Sequence, residues 1–437
     1  MARLTGSLDR FLLMGTVAML PMQANIPTFG GMGVLFFIFS GLLVYQLFVR
    51  PNALFRTAKH PVFLTGFSFV CVAILLETMH EDSAYSSIVR IGFMLVGGVI
   101  LASLCRDRSA LVSGMYGYIL GGVVLSCLLV FTTHGRLNAM DDATGDFYEA
   151  SVQRGAVFSN NPLKDDLNTM SFFAALGAIV GIALALGEKR FFRRFTLFGL
   201  STICVVGTII PMSRSGLGIL VICLGVALYS YGVMRPQVIL VVAVLAVTTL
   251  VWMPAIMWDR LAISTERLQV TDDYKDSRVE VYQASLNHLS EYVITGVGEG
   301  NFYGKWGQRS DFLQKNGAIT SPHNVYARVT INWGLMALAA FLILVWQAYR
   351  CLRIGSRTDP LWPCLQALAL AVFLWLQVID TLEAKEFSLI LGFLVAADLW
   401  IWPKKRLTNK VDRGARHDTG VFALRSTNQP PVDSSYP

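Results

Sequence analysis

Apolar runs separated by short polar stretches recur along nearly the whole of this 437-residue chain. Each run approaches or spans a hydrocarbon core about 30 Å thick at 1.5 Å of helix rise per residue. Twelve spans are legible, at about 11–27, 31–48, 62–77, 91–105, 111–131, 169–186, 195–212, 216–232, 237–254, 323–349, 361–380 and 386–402. Those at 91–105 and 216–232 are short and borrow flanking residues. The pattern predicts an all-α polytopic membrane protein. Only two connections are long, about 132–168 and 255–322, and both fall on the same side of the membrane. Within the second, Asp276-Ser277 reads as an N-cap before a helix opening at Arg278. Val281, Ser285, Leu289 and Val293 fall on one face of it, as in an amphipathic helix lying on the membrane. It ends at a glycine-rich turn, Gly296 to Phe302. Residues 1–402 thus form one membrane domain, and the polar tail 403–437 is expected to be disordered and cytoplasmic.

Composition agrees, and charge adds orientation. Apolar residues make up 54% of the chain and charged ones 15%, against about 25% in soluble domains. Basic residues cluster in alternate short loops: Arg50, Arg56 and Lys59; Arg106 and Arg108; Lys189 to Arg194; Arg350 to Arg357; and Lys404-Lys405-Arg406. Acidic groups such as Glu77, Asp141, Asp272 and Glu383 gather in the opposite loops. The positive-inside rule then puts both termini in the cytoplasm and both long loops outside. The net charge of +7 therefore records topology, which leaves a nucleic-acid partner without support. The first apolar run lacks a small-x-small cleavage site and is expected to stay attached. The seven cysteines lie in or beside spans with no Cys-x-x-Cys, so neither structural disulfides nor a thiolate metal site is expected. No 20–50-residue repeat is present, nor are there paired interrupted helices of the kind that mark a secondary transporter. A transporter or flippase would also need charges along a pathway inside the membrane, and Asp398 is the main such candidate.

Candidate chemistry sits at two span mouths on the outer side. Ile210-Pro-Met-Ser-Arg-Ser-Gly216 sets Arg214 between Ser213 and Ser215 where one run ends and the next begins. Ser321-Pro322-His323-Asn324 repeats the arrangement with a histidine. Serine is a good N-cap and proline suits the first helical position. Helix N-termini offer free amides and a positive dipole end to a phosphate, and a guanidinium fork matches phosphate oxygens bidentately. As the second residue of a helix, His323 would be held neutral by the dipole, as a general base for a sugar hydroxyl requires. The pair points to an enzyme acting on a lipid-linked phosphate at the membrane surface. Arg278, and Arg154-Gly155 with Asn160-Asn161-Pro162 in the other long loop, add cations and donors. Asp380 and Glu383, on the same side, are placed to orient His323 or anchor Arg214. The Gly296/Gly298/Gly300 turn lacks the βαβ setting of a dinucleotide fingerprint and reads as a tight turn. The acidic clusters at 141–149 and 272–276 show no ligand spacing and read as solvated faces.

Ser213-Arg214-Ser215-Gly216, Arg278 with the Gly296–Phe302 turn, and Ser321-Pro322-His323-Asn324 together resemble the O-antigen ligase and O-antigen polymerase superfamily. The resemblance covers about 10–402 and is strongest from 205 to 335. Arg154-Gly155 with Asn161-Pro162 looks like that family's arginine-glycine and asparagine-proline-asparagine stretch, with Leu163 where the second asparagine is usual. Twelve spans with a long outer loop before the histidine is similar to the lipopolysaccharide O-antigen ligases in particular. The resemblance implies a metal-independent, inverting glycosyltransferase of the GT-C type in the bacterial inner membrane, with a periplasmic active site and no cofactor. Its donor would be a glycan on undecaprenyl diphosphate and its acceptor a sugar hydroxyl of lipid A–core. Arg214 and Arg278 would bind the diphosphate and His323 would activate the acceptor. Ser213, Ser215, Arg154, Asn161, Asn324 and Asp380 would line the substrate site. A polymerase of the same lipid-linked glycan, or a ligase delivering it to protein, shares donor and leaving group and stays open.

Overall fold

The structure, a computed structural model, describes residues 2–21, 33–80, 84–133, 167–211, 213–232, 285–299, 324–354, 359–378 and 385–402. Every regular element among these residues is helical. In chain order they are α1 Ala2–Met19, α2 Val34–Val49, α3 Pro51–Ala58, α4 Pro61–Glu77, α5 Ser86–Leu104, α6 Arg108–Thr133, α7 Leu167–Gly187, α8 Phe191–Ile209 and α9 Arg214–Ser230. A four-residue turn of helix, Leu289–Tyr292, precedes α10 Val325–Ile354, α11 Trp362–Trp375 and α12 Lys385–Ala396, which runs on as a π-helical turn Ala397–Ile401. A helix lies on every predicted span except 237–254, which falls outside the described residues, as does the tail after Trp402. Five of the helices, α5 to α8 and α10, are long and apolar enough to cross a membrane, six if α2 and α3 count as one bent span. The chain is a multi-pass, all-α membrane protein.

Local chemistry sets the boundaries. α2 and α3 meet at 115° because Pro51 cannot donate into the preceding turn and drives Arg50 out of the helical region, to φ −149°. His60 caps α4, its Nδ1 accepting from the Val62 amide, and Pro61 takes the first helical position. Asp107 caps α6 through the Ala110 amide at 2.7 Å. α7 is the hub, packing against α6, α8, α9 and α11. It is rich in small residues, and Gly177 meets Gly122 of α6 so closely that a β-carbon on either would lie 3.2 Å from the other's Cα. Such contacts let helix backbones approach where lipid offers no hydrophobic drive to associate.

Helix ends sort into two layers, as alternating spans require. At one end Asp9 takes both Arg50 and the Tyr45 hydroxyl, and Arg108 meets Asp359 at 3.2 Å. There, too, Arg56 and Arg106 lie over the Trp400 ring, and the Tyr231 hydroxyl donates to the Pro360 carbonyl. His60, Cys351 and Asp398 converge at the same end with ligand atoms within 4.8 Å of one another. His60 Nδ1 is taken as an acceptor, so its ring proton sits on Nε2, 3.1 Å from Asp398 Oδ2. That tautomer makes the group a latch between α4 and the end of α12 and leaves no nitrogen lone pair for a metal. Asp398 thus stands at a helix end with a partner.

At the other end α10 departs from the continuous span that the sequence predicts. Gly334 has φ 72° and breaks the helix, and a neighbouring segment takes up the freed groups. The Leu335 amide donates to the Val293 carbonyl at 2.8 Å, where a continuous helix would bond it to Ile331. The Ile331 carbonyl instead accepts from Val297 at 2.9 Å, and Asn332 from Gly298 at 3.0 Å. The glycine turn read as a simple tight turn is one, with Gly296 and Gly298 at φ 82° and 85°, but it is also the partner of this break. Three of the backbone groups freed at the break thus find partners between Val293 and Gly298, as burial in lipid demands.

Candidate active site

Ser213 is the N-cap of α9: its hydroxyl accepts from the Gly216 amide at 3.3 Å and lies 3.0 Å from the Ser215 hydroxyl. At 2% exposed it shapes the turn from inside. Arg214, the first helical residue, is exposed, and its guanidinium makes no hydrogen bond or ion pair with the described residues. No acidic residue occupies the first turn of α9. A cation thus stands beside unpaired amides and the positive end of a helix, with no anion among the described residues to neutralise it, which is the electrostatic description of an anion site.

The second mouth is capped by Asn324. Its Oδ1 accepts from the Ala327 amide at 3.1 Å, and its amide donates to Gln377 Oε1 at 3.2 Å. α10 therefore begins at Val325 with Asn324 as its cap, where the sequence looked to Ser321. Asparagine and serine cap about equally well, so sequence alone could not choose between them.

The two mouths stand at the same end of the bundle, joined through α7 and α11. The first turn of α9 lies on α7, where a β-carbon on Gly216 would fall 2.1 Å from Ser171 Oγ, and that hydroxyl donates to the Thr208 carbonyl of α8 at 2.7 Å. Next along α7, Phe172 stacks on Trp375 of α11 with centroids 4.3 Å apart and planes 4° from parallel. The Leu376 carbonyl then accepts from the Val325 amide at 3.0 Å, and Gln377 holds Asn324. A continuous path of packed groups runs from the Ser213–Gly216 turn to the Asn324 cap. His323, Arg278, Arg154, Asn161 and Asp380 lie outside the described residues.

Sequence reasoning passed over three groups at this end. Lys385, at the start of α12, places its ammonium 4.8 Å from the centre of the Phe173 ring, on the residue that follows Phe172. Arg328, one turn into α10, donates to Ser87 Oγ at 2.9 Å. Glu77, read as one of the acidic groups of an outer loop, is fully buried. A basic or acidic residue among the polar flanks of a span gives no signal that separates these from solvated charges.

No curated protein matches the chain. Residues 198–342 match the family model described as O-Antigen ligase, a stretch that runs from within α8 through both mouths to beyond the break in α10. Over that third of its length the chain is similar to the O-antigen ligase family.

Proposed function

We propose that this protein is an O-antigen ligase that transfers a glycan from undecaprenyl diphosphate to a sugar hydroxyl of lipid A–core at the periplasmic face of the bacterial inner membrane. The family match over 198–342 supports the coarser reading, a membrane enzyme of ligase or polymerase type in O-antigen biosynthesis, which handles a lipid-linked glycan and an acceptor. The observation that carries the finer one is Arg214, an exposed guanidinium without a partner among the described residues, at a helix mouth that α7 and α11 tie to the mouth behind Asn324.

In this reading Arg214 and Arg278 grip the diphosphate while Arg154, Asn161 and the hydroxyl of Ser215 supply donors around it. Ser213 and Asn324 hold the two turns, and Asp380 orients the base. His323 takes the proton of the acceptor hydroxyl as its oxygen bonds to the anomeric carbon from the face opposite the diphosphate. The C1–O bond to phosphate breaks, and its electron pair leaves on the diphosphate. Negative charge grows on that oxygen, so fixed cations stabilise the transition state more than the bound donor. The leaving group is already good and no water needs activating, so neither a metal nor a carboxylate pair is required.

The test is transfer by purified protein from undecaprenyl-diphosphate glycan to lipid A–core in EDTA. The wild type should modify lipid A, and His323→Ala should abolish turnover while still binding donor. Full activity in that variant removes the general base. Longer lipid-linked glycan with unmodified lipid A would favour a polymerase, which the same family model accommodates, and transfer to protein alone would favour a protein ligase. Transport loses its main intramembrane charge, because Asp398 is held by His60 at the opposite end of the bundle.

A further inference from the structure

Two buried carboxylates stand beside the break in α10. Glu77, at the end of α4, is fully buried and accepts from three N–H groups: Trp333 Nε1 at 2.8 Å, the Ala84 amide at 3.0 Å, and the Glu299 amide, shared between its two oxygens at 3.1 and 3.0 Å. Glu299, 8% exposed, turns its own carboxylate to the start of α5, where it accepts from the Ser87 amide at 3.0 Å and the Ser86 hydroxyl at 3.2 Å. Ser87 in turn accepts from Arg328 of α10. Burying a carboxylate at a bilayer edge is costly unless its lone pairs are filled, and here they are filled by α5, α10 and the segment 293–299. The glycines close the same joint. A β-carbon on Gly296 would lie 2.0 Å from the Asn332 carbonyl oxygen, and one on Gly334 would lie 2.1 Å from that of Ile294.

We infer that Glu77 and Glu299 are positioning residues for the transfer reaction: a carboxylate clamp that fixes the returning end of the outer loop to the broken helix α10. The clamp holds residue 299 against the helix that starts at Val325, so the intervening segment, with His323 near its end, is tied at both flanks. Fixing both ends of a loop removes closure entropy that would otherwise be lost when the base meets its acceptor. The inference rests on the transfer reading above, but the clamp itself has a readout that needs no substrate.

The test uses the full chain in nanodiscs, with amide exchange over 293–299 and 324–335 measured beside donor binding and turnover. Glu299→Ala should speed exchange in those two segments and lower kcat about 10- to 100-fold, while donor Kd moves by less than about threefold. Glu299→Gln keeps one acceptor oxygen for the Ser87 amide and should recover most of the turnover. A residue with a merely structural role would lower the folded fraction without this split between kcat and donor affinity. Unchanged exchange in Glu299→Ala, or faster exchange with wild-type kcat, overturns the inference. Glu77→Gln should reproduce the alanine effect more strongly. If it fails to fold, the Glu299 pair decides. A wild type inert with every lipid-linked donor would remove the transfer reading and this inference together, whereas wild-type transfer unaffected by Glu299→Ala removes this inference alone.

Discussion

Arg214 and Ser213 are neighbours with opposite duties. The serine is buried and spends its hydroxyl on the Gly216 amide, while the arginine is exposed and spends its guanidinium on nothing described. A side chain that makes no bond contributes little to folding, and surface substitutions of that kind usually stay within about 0.5 kcal/mol. In the proposed site the same side chain meets two phosphate oxygens with a planar fork, which a lysine ammonium cannot imitate. Arg214→Lys should therefore fold with an unchanged Tm yet lose about 10²-fold in kcat/KM for the lipid-linked donor, the scale seen when one fixed donor to a developing oxyanion is removed. Near-normal turnover in that variant would leave Arg214 a headgroup anchor. A matching fall in Tm would mean that it holds the turn after all.

At the level of elements, the break in α10 decides how the outer loop returns to the bundle. Gly334 sits at φ 72°, a region open to glycine and costly for other residues, and its missing side chain leaves room for the Ile294 carbonyl. Gly334→Ala adds backbone strain of about 1–3 kcal/mol, to which the clash with Ile294 adds more. The expected outcome is a lower Tm, with faster amide exchange from 293 to 298 and little change in α5 to α9. A variant as stable as wild type would show that the break relaxes without cost. The spans themselves were legible because apolar runs of sufficient length have few alternatives in lipid. The Ser213 cap and the exposed Arg214 were legible because serine before an apolar run is a local signal. The break was not, because Asn332-Trp333-Gly334-Leu335 lies inside a run that stays apolar on both sides, where one glycine is only weak evidence against a helix. Nor was the burial of Glu77, which depends on Trp333 and on the Glu299 amide, 222 positions away. Local patterns hold no record of such pairings.

Over the whole molecule, the sorting of helix ends is the test of the charge argument. Arg50, Arg56, Arg106 and Arg108 share one end with the latch of His60 and Asp398, and the Ser213 turn, the Asn324 cap and the Glu77 clamp share the other. The sorting follows from contacts between helices and owes nothing to hydropathy. It shows that the loops read as basic lie together, while the side of the membrane they face comes from the positive-inside bias alone. The proposed site stands or falls with that choice, because lipid A–core is presented to a ligase on the periplasmic side. A green fluorescent protein fused after Pro437 should fluoresce and an alkaline phosphatase fused there should stay inactive, since the first matures in the cytoplasm and the second outside it. An alkaline phosphatase inserted in the long loop near residue 145 should be active. Reversed results at both positions would turn the Arg214 mouth toward the cytoplasm, where no lipid A–core acceptor awaits transfer. A reversal at Pro437 alone would mean an even number of crossings after that loop, where the seven predicted spans give an odd one, and would count against the span at 237–254.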